Sequence, residues 1–361
     1  MRIVQLIDSL DLGGAEKMAV TFANSLSKTI EFSGLVVSRK EGELKKNIHT
    51  DVSYLFLNKK KTIDFKVVLK LKEYCISNRI QIIQAHSSSF FLACLLKIFH
   101  PKIQIIWHDH YGKSITPKRE GAFFIRVFSF LFSGVITVSS ELESWSKKNL
   151  FCRQVFYLQN FIPENKSTLR ETKLNGIAGK RVLCVANLRP QKNHLMLVEV
   201  VHQIHKKFPG WTYHLVGNDL NDAYSFSIKE RIKHYQLENV IFIYGAKEDI
   251  ENCISQSDVG IFTSISEGLP VALLEFGKYK KPVVATRVGQ IPFVIKHQES
   301  GLLSDNNSIL EFSKNLSILL EDEQLRIKFG EKLYNTIEQN YSESIVVKKY
   351  ISCISNLSKQ I

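Results

Sequence analysis

VGIFTSISEGLPVALLEFGKYKKPVVAT, residues 259–286, decides the architecture. A short β-branched run at 259–262 stops at a polar turn, Gly268-Leu269-Pro270 follows, a helical-period segment fills 270–278, and a second β-branched run stands at 283–285. Strand, turn, helix and strand in that order make a βαβ unit with parallel strands. Pro270 suits the opening of the helix, because an N–H there would have no intrahelical partner. The amides of Val271 and Ala272 then project from the helix start with partial positive charge and suit a diphosphate. Glu267 lies on the loop before the helix and Glu275 within it. A carboxylate only accepts hydrogen bonds and can take two hydroxyl protons at once, which fits a ribose diol at Glu275 and a sugar hydroxyl at Glu267. On spacing alone the stretch reads equally well as a plain βα unit with two surface glutamates.

The same alternation runs outward in both directions. Upstream in this half, strands are expected over 182–186, 213–216 and 240–243, with helices over 194–207, 225–235 and 250–255; the chain from 309 onward is helical. In the first half, strands are expected over 3–7, 34–38, 80–84, 103–107, 135–138 and 155–158, and helices over 15–27, 64–78, 88–99, 117–132 and 141–149. The fourth of these helices has Thr116 as N-cap and Pro117 at its first position. Residues 163–180 are polar and without period, and read as a linker. The expectation is α/β with two Rossmann-like doubly wound domains, 1–163 and 164–341, and a last helix, 342–361, returning to the first. Strands of the first half end in Asp8 and Ser9, His86, His108, Ser139 and Asn160, so hydrogen-bonding groups gather at one carboxyl edge, where ligands of open parallel sheets bind.

Bulk properties agree with two cores. The chain has 361 residues, 44% of them hydrophobic and 23% charged, too many for one ordinary core. Its net charge is +13, of which +9 falls in residues 1–165. Such a surplus suits nucleic acid, anionic lipid or polyphosphate substrates, or is simply a solvated surface. Six cysteines without a CxxC pair read as reduced, buried thiols, and no Cys/His spacing suits zinc. MRIVQLIDSL reads as a first strand and not a signal peptide. The longest apolar stretch, GAFFIRVFSFLFSGVITV at 121–138, is broken by Arg126 and two glycines and does not span a bilayer. The phenylalanines up to Phe132 are expected to pack beneath the sheet; the other reading is contact with anionic lipid.

Three further constellations carry chemistry. VANLRPQKNH, residues 185–194, follows a strand and opens a helix; Arg189 and Lys192 there could neutralise a departing diphosphate, or be a basic cluster at a helix start. In IDSLDLGGAEKMA, residues 7–19, Gly13 and Gly14 let backbone amides approach a phosphate or sugar, though no GxGxxG is present. In IIWHDHYGKS, residues 105–114, His108 directly follows an apolar strand and His110 lies two residues on. A neutral imidazole can donate to a sugar hydroxyl. Two histidines without a third ligand in view do not make a metal site, and none is expected. His86 ends the preceding strand, as an acceptor-side or a structural residue. Gly217 and Gly245 follow two strands of the second half and serve either a tight turn or a base contact.

Glu267 and Glu275, separated by seven residues with Gly-Leu-Pro after the first, resemble the E-x7-E motif of retaining glycosyltransferases with the GT-B fold, glycosyltransferase family 4 in particular. Ser264, Pro282 to Ala285, Val288-Gly289 and Gly301 to Leu303 are similar to that family too. The resemblance implies two domains facing across a cleft and transfer of a sugar from a nucleoside diphosphate sugar to an acceptor hydroxyl, with retention. It implies that Glu275 binds the donor ribose, that Glu267 lies beside the donor sugar, and that Gly268, Leu269, Val271 and Ala272 hold the phosphates. Arg189 and Lys192 match the family's phosphate-binding Arg-x-x-Lys. Gly13, Gly14 and Glu16 match its N-terminal loop, His108 the histidine beside the reacting carbon, and Gly217 and Gly245 the loops around the base. His86 and His110 fall on the acceptor side. No cofactor or metal is expected, since cations of the chain replace it and no Asp-x-Asp occurs. The acceptor would be a glycan or a lipid-linked one, met in the cytoplasm or at the inner face of the plasma membrane, in cell-surface polysaccharide or glycolipid assembly; nucleic acid is not an expected partner. Competing readings are a nucleotide-sugar epimerase or hydrolase of the same architecture and a non-catalytic sugar-nucleotide binding subunit. The chain departs from the family at Lys280, where a small residue is usual, and at Phe293, where many members have Glu.

Overall fold

A computed structural model describes residues 1–110, 122–164 and 169–358. Two compact units are present: Met1–Pro163 together with Glu343–Ile361, and Glu164–Ser342. The first runs β1 (Arg2–Ser9), α1 (Gly14–Ser27), β2 (Phe32–Lys40), β3 (Ser53–Phe56), α2 (Phe65–Ser77), β4 (Ile82–His86), α3 (Phe90–Phe99), β5 (Gln104–Asp109), α4 (Ala122–Phe128), β6 (Gly134–Thr137), α5 (Ser140–Asn149) and β7 (Val155–Tyr157). The second runs β8 (Arg181–Val185), α6 (His194–Ile204), β9 (Thr212–Val216), α7 (Ala223–His234), β10 (Ile241–Ile243), α8 (Ile250–Gln256), β11 (Val259–Phe262), α9 (Val271–Lys278), β12 (Val283–Thr286), α10 (Ile291–Val294), β13 (Leu302–Ser304), α11 (Ile309–Glu321) and α12 (Glu323–Asn340). The last helix, α13 (Glu343–Ser358), belongs to the first unit.

Both sheets are parallel throughout, in the orders β3-β2-β1-β4-β5-β6-β7 and β10-β9-β8-β11-β12-β13. The order reverses between β1 and β4 in one and between β8 and β11 in the other, which opens a crevice at the carboxyl edge of each. Central strands covered on both faces need continuous apolar runs, and β1 buries Ile3 to Ile7 and β4 all of its five residues. On one face of the first sheet, Val67 and Leu71 of α2, Leu92 and Leu96 of α3 and Ile125 of α4 share a core with Val4, Ile83, Ile105 and Trp107. On the other, α1 packs Ala19, Val20 and Ala23 against Ile7, Leu35 and Val37. Here α13 also docks, with buried Tyr350 5.1 Å from Phe22 ring to ring.

Three expectations change. The edge strands β3 and β13, of 4 and 3 residues, were not foreseen, because short edge strands carry little apolar alternation. Residues from Glu171 on are tied to the second unit: the Glu171 and Thr172 amides donate to Asp249 Oδ2 at 2.9 and 2.7 Å, so the polar stretch read as linker is partly built in. Most of the phenylalanines of the 121–132 stretch do not pack beneath the sheet. Phe123, Phe124 and Phe130 are 73%, 63% and 65% exposed, while Phe132 is buried and Phe128 packs on Phe91. Thr116, Pro117 and the first part of the expected fourth helix lie outside the described residues. Among the described residues no helix is long and apolar enough to cross a membrane.

Candidate active site

In the second unit two loops meet at the switch point. The loop after β8 tightens into a single 3₁₀ turn, Pro190–Lys192, and Asn193 takes a left-handed backbone (φ 53°) that redirects the chain into α6. The loop after β11 lies across it. The Thr263 hydroxyl donates to the Lys192 carbonyl at 2.9 Å, and the Ile265 amide donates to the Gln191 carbonyl at 2.8 Å. These two bonds fix the register that brings Lys192 Nζ to Glu267 Oε1 at 2.5 Å. Ser264 Oγ donates to the same Glu267 oxygen at 2.6 Å. The Glu267 side chain is only 8% exposed, so this pair interacts in a medium of lower effective dielectric than water. Arg189 stands exposed at the mouth of the turn. The sequence places Lys192 and Glu267 in separate motifs; the structure makes them one ion pair.

Leu269 is buried under the loop, and Pro270 occupies the N-cap of α9, one position before the helical start expected for it. The next amides, of Val271 and Ala272, have no intrahelical acceptor. Glu275 sits buried a turn further on. Gly268 is held from below by the Gln290 amide, which donates to its carbonyl at 3.1 Å. Gly289 has φ 53°, and a Cβ there would stand 1.9 Å from the Glu267 carbonyl oxygen. Only glycine fits, so the Val-Gly pair noted in the sequence supports the Glu267 loop directly. Buried His194 lies behind Lys192; burial first, then the lysine charge, pushes its imidazole down to about 4. Gly217 and Gly245 have backbone reasons of their own. A Cβ at Gly217 would meet the Ala186 carbonyl at 2.1 Å, and Gly245 has φ 69°.

In the first unit the corresponding edge carries the Asp8 carboxylate, which accepts from Ser88 Oγ at 2.6 Å and lies 3.7 Å from Arg39, and beneath it a set of neutral groups. Gln5 Oε1 meets His86 Nε2 at 2.8 Å, His86 Nδ1 meets His110 Nε2 at 2.8 Å, and Gln84 Nε2 meets His108 Nδ1 at 2.8 Å. Read from Gln5, the chain assigns protons: a carbonyl oxygen requires N–H at His86 Nε2, so His86 Nδ1 accepts and His110 Nε2 donates. Among the described residues, buried His108 Nε2 has no hydrogen-bond partner. Burial, followed by repulsion from His110, holds His86 and His108 well below the ordinary histidine value, and burial pushes His110 down to about 3. All three are uncharged at neutral pH. Their nitrogens lie within 4.8 Å of one another, which corrects the reading that no third histidine accompanies His108 and His110. Among the described residues these are the ones that could hold a metal. Gln5 and Gln84 were missed in the sequence; the signal was a polar residue at the centre of an otherwise apolar strand.

On the loop after β1, Gly13 is the N-cap of α1 with extended backbone and Gly14 is its first residue. A Cβ at Gly14 would meet nothing within 4 Å, and one at Gly13 would meet only the Glu16 side chain. Nothing in the chain's own packing calls for glycine at Gly14. Ser139, by contrast, caps α5 by accepting from the Leu142 amide at 3.2 Å, a structural use of a strand-end hydroxyl.

Residues 166–336 match the family model for glycosyl transferases group 1. The amylovoran biosynthesis glycosyltransferase AmsD of Erwinia amylovora is 26% identical over 97% of this chain and 98% of its own. An uncharacterized glycosyltransferase of Haemophilus influenzae is 23% identical over 89% and 90%. Among solved structures, Anabaena HepE in complex with UDP and glucose superposes with a TM-score of 0.82 at 18% identity, covering 99% of this chain and 100% of that one. At that identity the likeness establishes the fold, GT-B, with its two Rossmann-like units.

Proposed function

We propose that the chain, whose residues 166–336 match the family model for glycosyl transferases group 1, moves a sugar from a nucleoside diphosphate sugar to an acceptor hydroxyl, with retention of configuration and without a metal. The observation that carries this is the Lys192–Glu267 pair, cross-braced by Thr263 and Ile265 and set at the β8/β11 switch point before the free amides of α9. The diphosphate lies on the amides of Val271 and Ala272. Arg189 and Lys192 stabilise the charge that develops on it as the bond to the sugar breaks. Glu275 takes the ribose hydroxyls, Glu267 a donor-sugar hydroxyl, and the leaving phosphate accepts the acceptor proton. Glu267 matters twice, because it also holds the ammonium of Lys192 in place. The neutral imidazoles of His108 and His110, oriented by Gln84 and His86, suit uncharged sugar hydroxyls, which need both donors and acceptors.

The acceptor is a glycan of a cell-surface polysaccharide or glycolipid, as the relation to AmsD supports, and the work is done on the cytoplasmic side. A panel of nucleotide sugars read by thermal shift, followed by product detection with the best binder and candidate glycan acceptors in the presence of EDTA, tests the reading. Stabilisation by a nucleoside diphosphate sugar and EDTA-resistant product are expected. Donor turnover that needs no acceptor would replace it by the epimerase or hydrolase alternative.

A further inference from the structure

The helices α2, α3 and α4 cover one face of the first sheet, and their inner sides form its core. Their outer sides are unusual for a solvated surface. On α4, Phe123, Phe124 and Val127 stand out, and Phe130 follows just past its end, 65% exposed. They follow a helical period, so one stripe of apolar side chains faces outward. Phe151, 59% exposed, extends the stripe, with the Arg126 guanidinium 5.4 Å above its ring. On α2, Phe65, Leu69 and Ile76 form a second outward stripe at spacings of four and seven. Phe65 meets Phe99 of α3 edge-on at 6.3 Å, beside exposed Ile98. Outward apolar stripes of this kind on helices that cover the same sheet face mark an interaction site.

Cations are interleaved with it. Lys60, Lys61, Lys66, Lys70, Lys72 and Arg79 lie on or beside α2, against Asp64 and Glu73. Lys97 and Lys102 flank the end of α3, and Arg126 is the one charged residue of α4. The apolar core of a protein–protein interface is depleted of lysine, so this composition argues for a different occupant. Apolar side chains that enter the acyl boundary, surrounded by lysines that meet anionic headgroups, are the two signals stable peripheral binding requires.

We propose that the outer face of α2, α3 and α4 docks on an anionic lipid bilayer. The apolar residues enter the headgroup boundary and the lysines pair with lipid phosphates. The inference gives the proposed cytoplasmic-side location its surface, yet it rests on residues apart from the donor loops, so its failure leaves the transfer reading standing.

Co-sedimentation of the full chain with vesicles tests it. Phosphatidylcholine vesicles containing phosphatidylglycerol should pull the protein down at low salt, with weaker binding at high salt, and pure phosphatidylcholine vesicles should retain little. Phe123→Ser with Phe124→Ser, and separately Lys66→Ala with Lys70→Ala, should each weaken the association by roughly tenfold or more. Thermal shift by nucleotide sugar, unchanged in both variants, would show that they fold. Wild-type binding indifferent to lipid charge, or variants that bind like wild type, would overturn the proposal. So would sedimentation-velocity data in which the phenylalanines instead drive self-association, since the face would then join two copies of the chain.

Discussion

The two switch points are built alike and charged differently. At β1/β4 the buried polar groups are strand residues, Gln5 and His86, with Gln84 and His108 alongside, and they are neutral, while the carboxylate of Asp8 stands at the rim with Ser88 and Arg39. At β8/β11 they sit on the loops beyond the strands, as an ammonium and a carboxylate braced by backbone bonds. An imidazole buried in a sheet interior does not keep a charge at neutral pH, because burial disfavours the charged form. A loop at the edge can, when a partner is near. The same fold position therefore offers uncharged hydrogen bonding in one unit and charge stabilisation in the other, which fits a reaction with an uncharged hydroxyl and a diphosphate leaving group.

The sharpest way to break this contrast is to remove the charge. Lys192→Ala should lower kcat by about two to three orders of magnitude, the scale of a lost transition-state contact, with a smaller change in KM; steady-state kinetics on the identified donor decides it. Glu275→Ala should weaken donor binding by roughly tenfold or more, the loss of charged hydrogen bonds, as read by titration calorimetry, with less effect on the rate at saturation.

Acid sharpens the contrast from the other side. The unfolded chain takes protons on its histidines near pH 6.5, while His86, His108 and His110 refuse them in the folded state. Their contribution is therefore complete above that pH and is lost as the pH falls toward about 3, the value of His110. Each such imidazole costs about 1.4 kcal/mol per pH unit in that window. Melting curves at pH 7 and pH 5 should show the loss, and Glu267→Gln should leave that slope intact.

The smallest effect is expected at Lys280. It holds φ 54°, and this is the physical reason a small residue suits the position. Lys280→Gly should raise stability by about 0.5–1 kcal/mol, reduced by the loss of the exposed pair with Glu331 at 2.9 Å. Denaturant melts measure it.

The order of strand, turn and helix was legible for the central strands because parallel strands covered on both faces must be apolar runs, and β11 falls on the residues the pattern marks, while the short edge strands β3 and β13 escaped it. The motif residues around Glu267 were legible too. What periodicity could not show was distance across the sheet. Lys192 and Glu267 are 75 residues apart and meet only because β8 and β11 are neighbours. His86 joins His110 for the same reason, since β4 pairs β5 with His86 opposite His108. The outward phenylalanines of α4 could not be told from core residues, because hydrophobicity alone does not say which side of a helix the sheet lies on.

The return of α13 also bears on how the chain is made. Tyr350 closes over Phe22 of α1 and lies near Gln5 of β1, so elements made before the second unit wait for a helix made after it. A nascent chain that has emerged only as far as Ser342 already holds every residue of the second unit, while the first still shows water the surface that α13 will cover. Synthesis order and completion order are thus reversed: the unit begun first is the one finished last, and chaperones have the longer interval in which to meet it.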